Sequence, residues 1–416
     1  MPDTRAGLER VPSPSEGWPV SARLLAPYRR ITSSGKFVPE VDGLRFIAIL
    51  AVYIYHFAGD VLRHSPSGDG LALRGQWIFS ITQILNIGVP LFFVISGFIL
   101  GLPFAEARLD RQTISLKKYY LRRITRLEPP YLLCLLLFFV VKILARRGTA
   151  GQLLPNLFAS MFYVHNLVYG APSAINYVAW SLEIEVQFYI LAPLLATLFA
   201  ISNASLRRSF LAVLMLLATG VSGLVSADGA LGHSLLGYAQ YFLAGFLLVE
   251  FQLCGGLQRK GSVLWDFVSI SGWCLLLALL VRGGRMAAWT APWLMVLLYV
   301  AAFRGRAINH FVTNTWVATI GGMCYSIYLL HNYLIAALGM LTERFFSSYA
   351  FEWRLAIQFA LITPAVLVLS AMYFRWVERP CMRPDWPRRV KAAFERPPIW
   401  YPSPAAAVSS QTSADD

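Results

Sequence analysis

Residues 41–57 read VDGLRFIAILAVYIYHF, an apolar run that carries an arginine and a histidine in its interior. Arg45 and His56 are eleven residues apart. At about 100° per residue that is three turns plus roughly 20°, so both side chains leave a helix on one face, about 16 Å apart along its axis. An ionisable group within a membrane helix costs several kcal/mol and normally faces the protein interior, where it marks a substrate or proton path. The run therefore reads as the wall of a site inside a helical bundle.

The composition supports a bundle. Of 416 residues, 57% are hydrophobic and only 14% charged, with a mean hydropathy of +0.55. These values lie outside the range of soluble globular chains and identify an all-α polytopic membrane protein. Residues 1–36 mix Pro, Ser and Arg without the apolar core of a secretory signal peptide, so the first span is expected to remain as an anchor. The net charge of +14 is divided among short loops between apolar runs, which is a topology signal and argues against nucleic acid as a partner. Cys134, Cys254, Cys274, Cys324 and Cys381 lie in or beside apolar runs without CxxC spacing, so neither a disulfide framework nor a Cys-rich metal site is indicated.

Apolar segments able to cross about 30 Å of hydrocarbon fall near 44–62, 77–102, 129–145, 178–201, 209–226, 231–253, 262–281, 287–303, 316–340 and 354–377. The run 153–170 is long enough but carries Pro155, Asn156, His165 and Asn166. With ten spans and both termini cytoplasmic, 25 Lys and Arg fall inside and 7 outside; counting 153–170 as a span equalises them at 16 and 16. The positive-inside rule selects ten spans, with 153–170 at the interface or re-entering. This divides the chain into a cytoplasmic N-terminal tail (1–40), a transmembrane domain (41–377) and a cytoplasmic tail (378–416) whose Pro-, Ala- and Ser-rich last twenty residues are expected to be disordered. The basic segment 103–128 ends in KKYYLRRITRLEPP, where Pro129 is placed to open the third span. Its seven cations suit orientation, anionic lipid or a phosphate site. There is no clear internal repeat of the kind that builds inverted-repeat transporters.

Three further stretches place polar groups at membrane depth. Asp60 follows His56 by one turn, where a carboxylate can meet the imidazole and hold one tautomer. In YVAWSLEIEVQFYILAPLL, Glu183 and Glu185 point about 200° apart, so at most one faces the interior; Glu183 reads as water-facing at the helix mouth, Glu185 lies deeper. The span WVATIGGMCYSIYLLHNYLIAALGM carries His331 beyond Tyr325 and Tyr328. No local spacing such as HExxH supports a metal on these residues. In GVPLFFVISGFILG, Ser96, Gly97 and Gly101 are read as helix-packing positions.

The motifs DGLRFIAILAVYIYHF, FFVISGFIL, RRITRLEPPY, WSLEIEVQFYILAP and CYSIYLLH, in that order over residues 42–331, resemble the acyltransferase 3 family of bacterial membrane O-acyltransferases. The resemblance implies about ten spans in the bacterial inner membrane. It also implies transfer of an acyl group, often acetyl, from cytoplasmic acyl-CoA to a hydroxyl of a surface glycan or another acceptor. It makes Arg45 and His56 essential, Arg123 and Arg126 donor-site residues, Glu185 the family's glutamate in the segment after Trp180-Ser181-Leu182, and His331 part of the site. The chain departs from the family pattern at Val186, where a second glutamate is common, and at Cys324, where serine is common. The hydrolase-like domain fused to some members is not seen, so the chemistry is expected within the membrane part.

The residues suit that reaction. Arginine forks bind phosphate bidentately, so Arg45 and the basic loop suit the nucleotide end of acyl-CoA, where the resemblance implies Arg123 and Arg126 as donor-site residues. His56 suits a general base for the acceptor hydroxyl, with Glu185 and His331 completing the catalytic group. Direct transfer is favoured over an acyl-enzyme, because no Ser or Cys adjoins His56 in sequence. The other readings are a proton-coupled transporter using His56, Glu185 and His331 as a relay, and a non-catalytic component of a glycan-export complex. The topology predicts the outcome of labelling with a membrane-impermeant maleimide in an otherwise Cys-free chain: Ser173→Cys reacts in intact cells and Ser115→Cys only after permeabilisation. Labelling of Ser115→Cys in intact cells would overturn the orientation.

Overall fold

The structure, a computed structural model, describes residues 24–32, 37–64, 77–110, 112–225, 229–257, 261–346, 348–383 and 385–386. The last twenty residues, expected to be disordered, lie outside them. The helices are α1 (Pro39–Arg63), α2 (Trp77–Leu109), α3 (Leu116–Leu144), the short α4 (Ala150–Met161) and α5 (His165–Tyr169), α6 (Tyr177–Ala200), α7 (Ala204–Leu224), α8 (Leu235–Leu253), α9 (Val263–Arg282), α10 (Gly284–Arg304), the short α11 (Ala307–Thr313) and α12 (Thr315–Gly322), α13 (Cys324–Phe346) and α14 (Phe351–Cys381). No strand occurs among the described residues.

Among the described residues, nine helices are long and apolar enough to cross a membrane. The remaining expected span, α8, has 19 residues and includes Gln240, Glu250 and Gln252, which lower its mean hydropathy. Its position explains how it carries them. Every residue from Gln240 to Glu250 is buried, against α2 on one side and α7 on the other. Arg207 of α7 donates two hydrogen bonds to the Glu250 carboxylate, 2.5 and 2.8 Å long, so the charge enters the bundle already paired. The apolar windows of α1 and α2 are 61% and 67% buried, against 17% for α7 and α9. The first two helices thus form the centre, and α7 and α9 present their apolar surfaces outward, toward lipid.

Segment 153–170 does not cross. At about 1.5 Å per residue α4 is roughly 18 Å long, short of the ~30 Å hydrocarbon. A Thr149–Gln152 capping box starts it, and Gly170, at a φ of 63°, ends α5. Ser173 in the following loop is buried on Ser160; exposed Ala174 is therefore the better labelling position.

Two expectations about helix ends are corrected. Pro129 does not open the third span: α3 begins at Leu116, capped by Ser115, and runs through Pro129 and Pro130, so the basic segment is itself helical. A proline leaves the carbonyl four residues earlier without its donor. The indole Nε1–H of Trp386 fills that place on the Thr125 carbonyl, at 2.9 Å. The ninth apolar run is two helices rather than one, α12 and α13, broken at Met323. Just before the break α12 approaches α1 closely: a Cβ on Gly321 would lie 1.8 Å from the Asp42 carbonyl oxygen, so α12 rests directly on the backbone of α1. Gly97 confirms its reading as a packing position, since a Cβ there would lie 2.1 Å from the Phe242 carbonyl oxygen of α8.

Removing one partner of a buried pair strands the other. Glu250→Leu is therefore expected to cost about 3–5 kcal/mol, read as a lower thermal midpoint of the purified protein. Adding Arg207→Met should recover most of that loss.

Candidate active site

A cavity of about 110 Å³ opens where α1, α2, α3, α6, the α12–α13 break and the end of α14 meet. Arg45, Arg123, Arg126 and Glu185 all line it, although they are contributed by three different helices. The local folds that bring them there are identifiable. The hydroxyl of Tyr119 donates to the Tyr189 carbonyl at 3.2 Å, the acceptor that Pro193 leaves without a donor, and Tyr120 donates to the next carbonyl, that of Ile190. These bonds lay the basic start of α3 along α6, with the Arg123 guanidinium 5.7 Å from the ring centroids of both Tyr119 and Tyr189.

Each carboxylate near the cavity is held by donors. Asp42 is fully buried; its Oδ1 accepts from Arg45 Nη1 at 2.6 Å, and its Oδ2 lies 3.2 Å from Arg30 Nε. Glu185 Oε1 accepts from Ser96 Oγ and from the Tyr189 hydroxyl, both at 2.5 Å. Glu378, in a π-helical turn of α14, accepts from Ser326 N at 3.1 Å and Ser326 Oγ at 2.5 Å, a carboxylate placed on the first turn of α13 where the helix dipole favours it. Arg126 Nε is buried without a hydrogen-bond partner. Neither Arg123 nor Arg126 makes an ion pair among the described residues. Four guanidinium groups (Arg30, Arg45, Arg123, Arg126) thus face three carboxylates (Asp42, Glu185, Glu378). Burial, and then the charge of Arg45, push Arg30 down to about 9. This crowd of cations favours an anion in the cavity.

The histidines lie outside that cavity. The ring of Tyr328, which lines it, is centred 6.1 Å from that of His331, and the His331 ring is 5.1 Å from that of His56. The Tyr328 hydroxyl is engaged with Ser181 Oγ at 2.7 Å and with the Val178 carbonyl. On its other side His56 stands edge-on to exposed Tyr177, 6.1 Å away. Tyr328 therefore separates an arginine-lined chamber from a pair of imidazoles nearer the surface at Tyr177.

Several readings change. Asp60 does not meet His56: its carboxylate lies 3.5 Å from His64 Nδ1 and 3.7 Å from Arg63 Nη2, the two basic groups at the end of α1, while His56 turns to His331. Glu183 is not water-facing; it is fully buried and accepts from the Asn166 backbone N–H at 2.8 Å, because α5 folds over the mouth of α6. Glu185 is the carboxylate that reaches the cavity. Ser96 does more than permit packing, since it binds Glu185. Arg30, Asp42, Tyr189 and Glu378 were missed. Asp42 had a signal in its i, i+3 spacing to Arg45, and Glu378 in being an acid at the end of an apolar run.

Residues 38–375 match the profile of the acyltransferase domain of the acyltransferase 3 family. The chain is 26% identical over 383 residues to the O-acetyltransferase OatA of Staphylococcus aureus (strain NCTC 8325 / PS 47), covering 83% of this chain and 57% of the relative. It is 25% identical over 380 residues to the putative O-acetyltransferase SACOL0978 of Staphylococcus aureus (strain COL), with the same coverage of 83% and 57%. The chain thus spans little more than half the length of these relatives. No solved structure matches.

Proposed function

The chain belongs to the acyltransferase 3 family, a multi-pass bacterial membrane protein by its helices, and we propose that it moves an acyl group from cytoplasmic acyl-CoA to a hydroxyl of a surface glycan or similar acceptor. The observation that carries this reading is the cavity in which Arg45, Arg123 and Arg126 converge with one cation in surplus over the carboxylates. CoA phosphates match that surplus, and arginine forks bind them bidentately. Orientation with both termini cytoplasmic places this chamber on the donor side and Tyr177 on the acceptor side.

The thioester enters past Tyr328, whose hydroxyl must release Ser181 and Val178 for the carbonyl to reach His56. The acceptor oxygen forms the new C–O bond while His56 takes its proton; the C–S bond breaks, and the CoA thiolate leaves and recovers that proton from His56. Glu185, held by Ser96 and Tyr189, keeps Tyr189 and with it Arg123 in place at the donor end. The names of the relatives point to acetyl as the group transferred.

In vesicles, the wild type is expected to consume acetyl-CoA only when an acceptor glycan is present, which a transporter or scaffold would not do. His56→Ala should lower kcat by about 10²–10⁴-fold with an unchanged thermal midpoint. Arg126→Ala should instead weaken donor binding about tenfold, or ~1.4 kcal/mol, by calorimetry. Unchanged donor affinity in Arg126→Ala and Arg45→Ala together would remove the phosphate assignment.

A further inference from the structure

His331 has no exposed surface. Its Nδ1 lies 2.8 Å from the Tyr328 carbonyl oxygen and 3.1 Å from that of Ile327. Carbonyl oxygens only accept, so Nδ1 carries the hydrogen, and in a neutral imidazole that leaves Nε2 bare. The Nε2 atom is buried and has no hydrogen-bond partner, an arrangement that native interiors avoid. The neighbouring hydroxyls are committed elsewhere: that of Tyr328 to Ser181 and Val178, and that of Tyr53, whose ring is 6.3 Å from His331, to Thr363 Oγ1 at 3.0 Å. The remaining neighbour is His56, its ring centroid 5.1 Å away. A ring nitrogen sits about 1.1 Å from its centroid and an N–H···N bond spans about 3 Å, so two imidazoles so joined have centroids about 5.2 Å apart. The 56° tilt between the rings is relieved by rotation about the soft terminal torsion of His56.

We infer that His331 is a positioning residue that accepts the N–H of His56 on its bare Nε2 and so leaves the other nitrogen of His56 free to take the acceptor's proton. It fills the place that sequence spacing offered to Asp60, and it does so as a neutral group, which costs less than a carboxylate inside a membrane bundle. The direction is fixed because His331 has no second hydrogen to give. The tautomer rests on geometry alone; its effect on rate rests on the acyl-transfer reading above.

Histidine-¹⁵N NMR of the full chain in nanodiscs, with His331→Gln used to assign the signal, should show a neutral His331 protonated on Nδ1. A charged ring, or one protonated on Nε2, overturns the inference. In kinetics, His331→Leu should lose about 10²-fold in kcat, the scale of a misplaced catalytic group, with the acyl-CoA KM within about twofold. His331→Gln, whose amide oxygen reaches the ε position, should recover about tenfold of that loss, whereas His331→Asn, which reaches only the δ position, should not. Full activity of His331→Leu, or no gain from Gln over Leu, also overturns it. Should the wild type transfer no acyl group at all, the reaction assignment fails and the nitrogen spectrum still decides the tautomer.

Discussion

The 2.6 Å ion pair between Asp42 and Arg45 is the contact on which the rest of the site depends. A guanidinium cannot shed its charge, so an arginine in the centre of a membrane bundle requires a counter-charge, and Asp42 supplies it from the preceding turn of the same helix. Asp42 also draws in Arg30. Its backbone carbonyl also packs against Gly321 of α12, two residues before the ninth apolar run breaks. That break brings Gly322 and Cys324 to the cavity wall and presents the first turn of α13 to Glu378. One buried residue thus anchors an arginine through its carboxylate and seats a helix on its backbone, beside the chamber.

Around that pair the bundle uses side chains where backbone bonds are lost. Pro129 and Pro193 each leave a carbonyl without its helical donor, and Trp386 and Tyr119 supply the missing hydrogens from other segments. These are long-range contacts built on local defects: Tyr119 holds the basic part of α3 against α6, and Trp386 ties it to the segment after α14. In hydrocarbon no water can substitute for such donors, so the interrupted helices define where other elements must sit. The short α5, by covering the mouth of α6, converts Glu183 from a surface residue into a buried cap for Asn166.

The division between the arginine chamber and the imidazole pair has a mechanistic consequence. On the proposed acyl-CoA reading, a thioester held by its nucleotide phosphates meets Tyr328 before it meets His56. The hydroxyl of Tyr328 is bonded to Ser181 and to the Val178 carbonyl, both at the start of α6, so the ring that stands between the arginine chamber and the imidazoles is well anchored. On that reading it shields the donor thioester until the acceptor is in place, in keeping with the general use of closed sites to prevent side reactions.

Much of this was determined by the sequence itself. Apolar length located the crossing helices, since hydrocarbon thickness imposes it on any chain. Charge distribution demoted 153–170 from a span. Charged residues at membrane depth marked Arg45 and Glu185, because only a shared interior tolerates them; Arg123 and Arg126 were marked by the basic segment before the third span and by the family resemblance, and all four line one cavity. Asp42 for Arg45 and Tyr189 for Glu185 lie one turn away on the same helix, and tertiary structure decided the partners that come from other helices. Ser96, read as a packing position, and Tyr189 bind Glu185 from α2 and α6; Glu378 arrives from α14; His56 turns from the nearby Asp60 to His331, 275 positions later in the chain. Periodicity determines the face on which a side chain leaves its helix. Which other helix meets that face is set by close-packing of the whole bundle, and there the identity of every partner from another helix was decided.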